Sequence, residues 1–294
     1  MIFATIDVGS NAVRLLLTDV RTIKNDVVFE RLAILRVPVR LGEDAFSRGK
    51  ISTDKTTQLL KTMCGFHEII DGFQVADTMA CATSALREAK NGKAIAKQIK
   101  KKTGLDLQII DGKKEAKLIY ANHIEKNFDP RYSYLYIDVG GGSTEITFVS
   151  GGVQKSKSFN VGCIRLKEGF VLKETWKEMD KWLKKNVRGK NVVGVGSGGN
   201  IRSLYLLAGK INNEPLKIEE LDFLDEMLRN YTIEERMTKL GLKPDRADII
   251  VPACSIYRHI MDTCGIQTIY APIIGLSDGM VHALYAKHKK KFVE

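Results

Sequence analysis

The chain has 294 residues, with 46 basic and 35 acidic side chains, a formal net charge of +11 and 44% hydrophobic residues. That balance excludes a disordered or fibrous chain and is long enough for two domains with full hydrophobic cores. No apolar run approaches the ~18 residues of a membrane span. In chain order, the segment Ala4 to Leu17 comes first and reads as a strand, a tight Asp7-Val8-Gly9-Ser10-Asn11 turn and a second strand. Its opening, Met1 to Asp7, lacks a basic n-region, so no signal peptide is expected. Ser52 to Phe73 has helical apolar spacing through Leu59, Leu60, Met63, Phe66, Ile69 and Ile70. Asp77 to Arg87 reads as a strand, a small-residue turn and a helix start, and Lys113 to Lys126 as a further helix.

A polar, proline-bearing stretch, Asn127-Phe128-Asp129-Pro130-Arg131, precedes an echo of the beginning. Leu135 to Phe148 repeats the strand, Asp-Val-Gly turn and strand, with its aspartate 131 residues after the first (138 − 7). Asn191 to Arg202 repeats the strand and small-residue turn leading into a helix. Thr232-Ile233-Glu234-Glu235 is a capping box, and Gly275 to Lys291 a basic-ended terminal helix. The expected architecture is therefore α/β in two duplicated halves, 1–127 and 128–294, with the terminal helix able to pack back on the first.

Five scattered cysteines without a C-x-x-C pair predict reduced thiols of a cytoplasmic protein, not a disulfide frame or zinc site. The excess positive charge lies in short clusters: Lys100 to Lys102, Lys113-Lys114, Lys184-Lys185 and Lys287 to Lys291. Such clusters suit a polyanionic partner or are solvated helix faces. Zinc-finger spacing and RNP aromatics are absent, which argues against nucleic acid as the partner.

The chemistry lies in the turns and the carboxylates. Gly140-Gly141-Gly142-Ser143-Thr144 precedes a strand pattern, so it is not a dinucleotide fingerprint but a turn whose N–H groups can form an anion nest. Gly9-Ser10-Asn11 offers the same from the first half. One such turn is equally what a plain hairpin needs; two, each preceded by an aspartate at the same offset, point to phosphate. Gly194-Val195-Gly196-Ser197-Gly198-Gly199 joins a strand to a helix and reads as a third phosphate-facing turn, or as a structural one. Carboxylates beside phosphate loops (Asp7, Asp138, Glu145) repel the substrate unless a divalent cation intervenes, and Mg²⁺ is the expected one. Glu115, in the first turn of its helix, is by position alone a dipole partner. The five dispersed histidines are assigned no role.

At these residues the sequence resembles the exopolyphosphatase / guanosine pentaphosphate phosphohydrolase family, of the actin-like, sugar-kinase and heat-shock ATPase superfamily. The resemblance runs through Asp7 to Asn11, Arg40-Leu41-Gly42, Ala82 to Arg87, Ile110 to Tyr120, Asp138 to Glu145, Gly162 to Leu166, Gly196 to Arg202 and Gly275 to Gly279. It implies two ribonuclease-H-like domains with an interdomain cleft, and a homodimer. It implies that Glu115 is the catalytic glutamate that activates water, reversing the dipole reading, with Arg87 reaching the phosphates. Asp7, Asp138 and Glu145 become candidate Mg²⁺ residues, with K⁺ a second candidate ion. The candidate phosphate contacts are Gly9, Ser10, Asn11, Arg14, Thr83, Ser84, Gly140, Gly141, Gly142, Ser143, Thr144, Gly196, Gly198 and Gly199. Lys114, Asn200 and Ser277-Asp278 depart from the family's usual glutamate, threonine and Arg-Glu pair. The expected activity is exopolyphosphatase, with guanosine pentaphosphate hydrolysis or a non-catalytic polyanion sensor as alternatives.

Overall fold

The computed structural model describes all residues except Asn25, 123–128, Pro130, Lys190, Asn212, Asn213 and 290–294. The chain forms two compact units, Met1–Asn122 with Gly275–Glu294, and His123–Ile274. A straight division at 127/128 falls among residues outside the described set. The C-terminal stretch belongs to the first unit, which the chain re-enters at Gly275.

In the first unit β1 (Ile2–Val8), β2 (Val13–Ile23) and β3 (Asp26–Val37) are antiparallel neighbours. After α1 (Leu41–Arg48) and α2 (Thr53–Gly72), β4 (Asp77–Ala82) returns parallel to β1. Then α3 (Ser84–Glu88) and α4 (Gly92–Thr103) lead to β5 (Leu107–Ile109), parallel to β4, and to α5 (Gly112–Tyr120). The sheet order is β3-β2-β1-β4-β5. Its main core joins Ile6, Val8, Leu15 and Leu17 to Leu59, Met63 and Phe66 of α2, the apolar stripe predicted from spacing. Ser52 caps α2 by accepting the Lys55 N–H. The predicted 113–126 helix ends at Tyr120, and its remainder from 123 lies outside the described residues.

The second unit repeats this plan. β6 (Ser133–Val139), β7 (Thr144–Ser150) and β8 (Val153–Phe159) are antiparallel, followed by α6 (Cys163–Lys167) and α7 (Lys173–Asn186). β9 (Val192–Ser197) lies parallel to β6 and opens into α8 (Gly198–Leu207). β10 (Leu216–Lys217), α9 (Ile218–Asn230), α10 (Ile233–Thr238), α11 (Pro244–Ala247) and α12 (Ile250–Cys264) precede β11 (Thr268–Tyr270), parallel to β9. The order β8-β7-β6-β9-β11 matches the first unit's strand for strand, with β10 added at the edge. Thr232 and Glu235 form the predicted capping box of α10.

The last helix, α13 (Leu276–His288), packs in the first unit against β1 and α5. A Cβ on Gly279 would stand 1.8 Å from the Leu118 carbonyl oxygen, so only glycine lets α13 lie this close to α5. Three of the basic clusters end helices: Lys100 to Lys102 on α4, Lys184-Lys185 on α7, and Lys287 on α13. Cations there offset the helix dipole, a structural use for part of the charge. All five cysteines are free thiols. No helix among the described residues is long and apolar enough to cross a membrane.

Candidate active site

In the first unit the β1–β2 turn closes through the Gly9 N–H to the Ala12 carbonyl at 3.1 Å. The Ser10 and Asn11 carbonyls accept from the amides of Gly42 (2.8 Å) and Arg40 (2.9 Å) at the start of α1. A trans peptide places C=O and N–H on opposite edges, so the Asn11 and Ala12 N–H groups face away from α1. Ser10 and Ser84, 74 residues apart, meet in a buried hydroxyl–hydroxyl bond of 2.9 Å. Thr83 is buried beside them.

Asp7 lies directly opposite Arg14 across β1 and β2, and Arg14 Nη1 donates to its Oδ2 at 2.7 Å. Burial pushes the Asp7 carboxyl above the usual carboxylate range, against the opposing pull of Arg14. Glu115 sits one turn into α5, whose N-cap Asp111 accepts the Lys114 N–H at 2.7 Å. Glu115 is buried, with Oε2 3.6 Å from Arg87 Nη1. That same Nη1 donates to the Ile110 carbonyl at 2.9 Å, which fixes the guanidinium beside the glutamate. Ser277 and Asp278 are tied into this unit. The Ser277 carbonyl accepts from the Thr5 hydroxyl (3.1 Å), and Asp278 Oδ1 from Arg31 Nε (3.0 Å).

In the second unit the glycine turn is braced from behind. The Gly140 carbonyl accepts from the Cys163 amide (2.9 Å), Gly141 from Ile164 (2.9 Å), and Gly142 from Arg165 Nε (2.9 Å). With three successive carbonyls turned toward α6, the N–H groups of Gly141, Gly142 and Ser143 face the other way, the arrangement of an anion nest. Gly162 makes the bracing possible, because a Cβ there would lie 2.5 Å from Gly141 C and O and Gly142 C. Thr144, by contrast, is fully buried and donates its hydroxyl to the Val161 carbonyl at 2.5 Å, so its side chain pins the turn.

Asp138 lies directly opposite Glu145, and Glu145 Oε1 accepts from the Ser158 hydroxyl at 2.7 Å. Two like charges facing each other across strands cost stability. A hard cation held by one or two carboxylates, waters and phosphate oxygens offsets that cost, so this pair fits Mg²⁺. Asp7, at the same register position in its own hairpin, already has a guanidinium instead. Among the described residues no three His, Cys, Asp or Glu groups converge on a metal site.

The third turn divides its labour. A Cβ on Gly196 would press to 2.6 Å of Ile201, so this glycine serves close strand–helix packing. Gly198 adopts φ +82° beside Asp138, whose Oδ1 would be 3.0 Å from an added Cβ. Gly199 faces Arg246, whose Nη2 would lie 2.6 Å from a Cβ there. Arg246 Nη1 also donates to the Asn200 side-chain oxygen. Sequence reading missed Arg246, since its place beside the turn arises from tertiary packing across 46 residues, and only the Pro-led start of α11 marked its helix.

The Ppx/GppA phosphatase family model matches residues 20–288. The chain belongs to this family. It is thus a member of a phosphatase family, with an α/β fold of two mixed sheets. The bifunctional 3-dehydroquinate synthase/phosphatase of Fusobacterium nucleatum is 27% identical over 310 residues, covering 96% of this chain and 46% of that protein. This chain thus spans about half the length of that relative. Exopolyphosphatase 1 of Mycobacterium tuberculosis is 26% identical over 308 residues, covering 96% of this chain and 87% of the relative. A crystal structure of an exopolyphosphatase from Cytophaga hutchinsonii matches with a TM-score of 0.82 at 23% identity, covering 98% of both chains, and so carries the fold.

Proposed function

We propose that this family member is an exopolyphosphatase that removes the terminal phosphate of inorganic polyphosphate. The observation that supports the reading is the buried Glu115 carboxylate beside the Arg87 guanidinium, 3.6 Å away, in the unit that also carries the Gly9-Ser10-Asn11 turn. In the proposed reaction Glu115 orients a water and accepts its proton as the oxygen bonds to phosphorus. The P–O anhydride bond breaks, and the electron pair leaves with the shortened chain. Arg87 compensates the charge spread over the transferring phosphoryl oxygens, and the backbone N–H groups of the turns position the chain. Mg²⁺ held at Asp138 and Glu145 would supply charge neutralisation for phosphate oxygens.

Phosphate release from short and long polyphosphate and from guanosine pentaphosphate, with Mg²⁺, tests the proposal. Wild-type protein is expected to release phosphate from polyphosphate, and Glu115→Gln to bind it but turn over ~10²–10⁴-fold more slowly. Release from the nucleotide alone would make the chain a guanosine pentaphosphate phosphohydrolase. Binding without release from any substrate would make it a sensor, and full activity in Glu115→Gln would remove the glutamate from its role.

A further inference from the structure

In the first unit the β1–β4 ladder runs one residue past Asp7. Val8 pairs with Ala82, and the Val8 carbonyl accepts the Thr83 backbone N–H at 3.2 Å. In the second unit the pairing stops at Asp138 and Ser197, the residues equivalent to Asp7 and Cys81. The next two bonds are made by side chains. The Val139 N–H donates to the Tyr257 hydroxyl (3.4 Å), which donates to the Ser197 carbonyl (3.3 Å). The Val139 carbonyl accepts Asn200 Nδ2 at 2.7 Å, where Val8 takes a backbone amide. A hydroxyl can do both because it carries one donor and two acceptor sites. Tyr257, on α12, is fully buried, and burial pushes its phenol well above the usual range, so it stays protonated.

We propose that Tyr257 and Asn200 are positioning residues that replace two backbone bonds of the ladder, hold the ends of β6 and β9 apart, and thereby set the spacing of the Gly140–Ser143 and Gly198–Gly199 turns for phosphate. The carboxyl ends of parallel strands are where open α/β sheets receive ligands, and these bonds part the strands at that end. Val139 joins Asp138 to Gly140, so both its peptide groups govern where the carboxylate and the glycine turn point. The inference rests on the phosphate-binding reading of these turns.

The test compares wild type with Tyr257→Phe and Asn200→Ala by amide hydrogen exchange, with and without polyphosphate, and by steady-state kinetics. Tyr257→Phe keeps the ring and deletes only the hydroxyl. Exchange is expected to quicken in the peptides spanning 136–143 and 194–201 and nowhere else in the second unit. Polyphosphate is expected to protect both peptides in wild type and neither variant, with KM raised ~10-fold and kcat within ~3-fold. Unchanged exchange and KM would overturn the proposal. Exchange rising throughout the unit with kcat falling would overturn it too, as general destabilisation. Lack of polyphosphate protection in wild type would instead refute the phosphate reading of the turns, and the ligand-free exchange pattern would still decide whether the two side chains set them.

Discussion

Gly162→Ala tests whether the glycine turn of the second unit must sit where α6 braces it. Gly162 has φ −141° and ψ 159°, extended backbone that alanine adopts freely, so the substitution acts through space alone. Its Cβ would meet Gly141 C and O and Gly142 C at 2.5 Å, about 0.9 Å short of an ordinary 3.4 Å contact. All three atoms are backbone, so no side chain can swing aside; the turn itself has to move. Overpacking of this kind costs ~1–3 kcal/mol. At ~2–4 °C per kcal/mol for a unit of this size, the melting temperature should fall by a few to about ten degrees. The turn would shift by most of the 0.9 Å, and a misplacement of ~1 Å at a positioning group costs ~10²-fold in rate. The assay is kcat/KM for phosphate release beside thermal unfolding, with Gly65→Ala as the control. Gly65 is exposed within α2 and a Cβ there meets nothing within 4 Å, so alanine should stabilise by ~0.5–1 kcal/mol and leave activity alone. Wild-type kcat/KM and melting temperature in Gly162→Ala would refute the bracing argument.

Asp225, buried on α9, accepts from Arg258 Nη1 of α12 (2.7 Å), which docks the two helices, and from Arg229 Nε of its own helix (2.9 Å). Asp225→Ala should cost ~2–3 kcal/mol in chemical denaturation, since both bonds are charge-assisted and one end is buried. Asp77 is placed to hold α13, accepting from Lys287 Nζ (2.8 Å) and His288 Nε2 (2.6 Å). Burial works to raise the Asp77 carboxyl, but these partners outweigh it and hold it below the usual range. A lowered folded value means the clasp contributes fully above the unfolded pKa of ~4 and is lost as pH falls through the folded value. The protection of α13 amides, taken relative to the intrinsic exchange rate at each pH, should therefore fall below about pH 4, and Asp77→Asn should abolish that dependence. Burial pushes the Cys81 and Cys163 thiols up to about 11. Iodoacetamide at neutral pH should leave both unmodified in native protein and alkylate them after unfolding.

The duplicated hairpins, the bounds of α2 and the capping box of α10 were legible because each is written in neighbouring residues: alternation, 3.6-residue spacing, a Thr three places before a Glu. The third strand of the first sheet was not. Its register with β2 shifts at Leu17 and Thr18, which switches the alternation phase within the strand and blurs the period. Glu115 shows the same limit at the site. Its position in a first helical turn reads by itself as a dipole partner. The resemblance reverses that reading, and the Arg87 guanidinium that α3 brings to within 3.6 Å of it comes from tertiary packing that local spacing does not show. Arg246 and Tyr257 act across 46 and 118 residues of chain, so no local pattern could mark them, whereas Asn200 stands out only as a departure within its turn.

The two hairpins share a fold and a register and differ in what stands opposite the aspartate. Opposite the aspartate, one copy places Arg14 and the other Glu145. The first pair is close to neutral and is satisfied by its own ion pair. The second places two carboxylates opposite each other at a strand end, with the Ser158 hydroxyl donating to Glu145, and a bound cation would offset their mutual repulsion. The same unit gives up two backbone bonds beyond its aspartate and replaces them with Tyr257 and Asn200. Like charge left facing, and strands parted where a regular ladder would close them, are both departures from the more stable arrangement that the first copy retains. A fold tolerates such departures where the open, charged geometry is what function requires. Under the proposed function, the repeated plan offers two equivalent anion-facing turns, and the residues opposite and behind one of them would set the two apart in role.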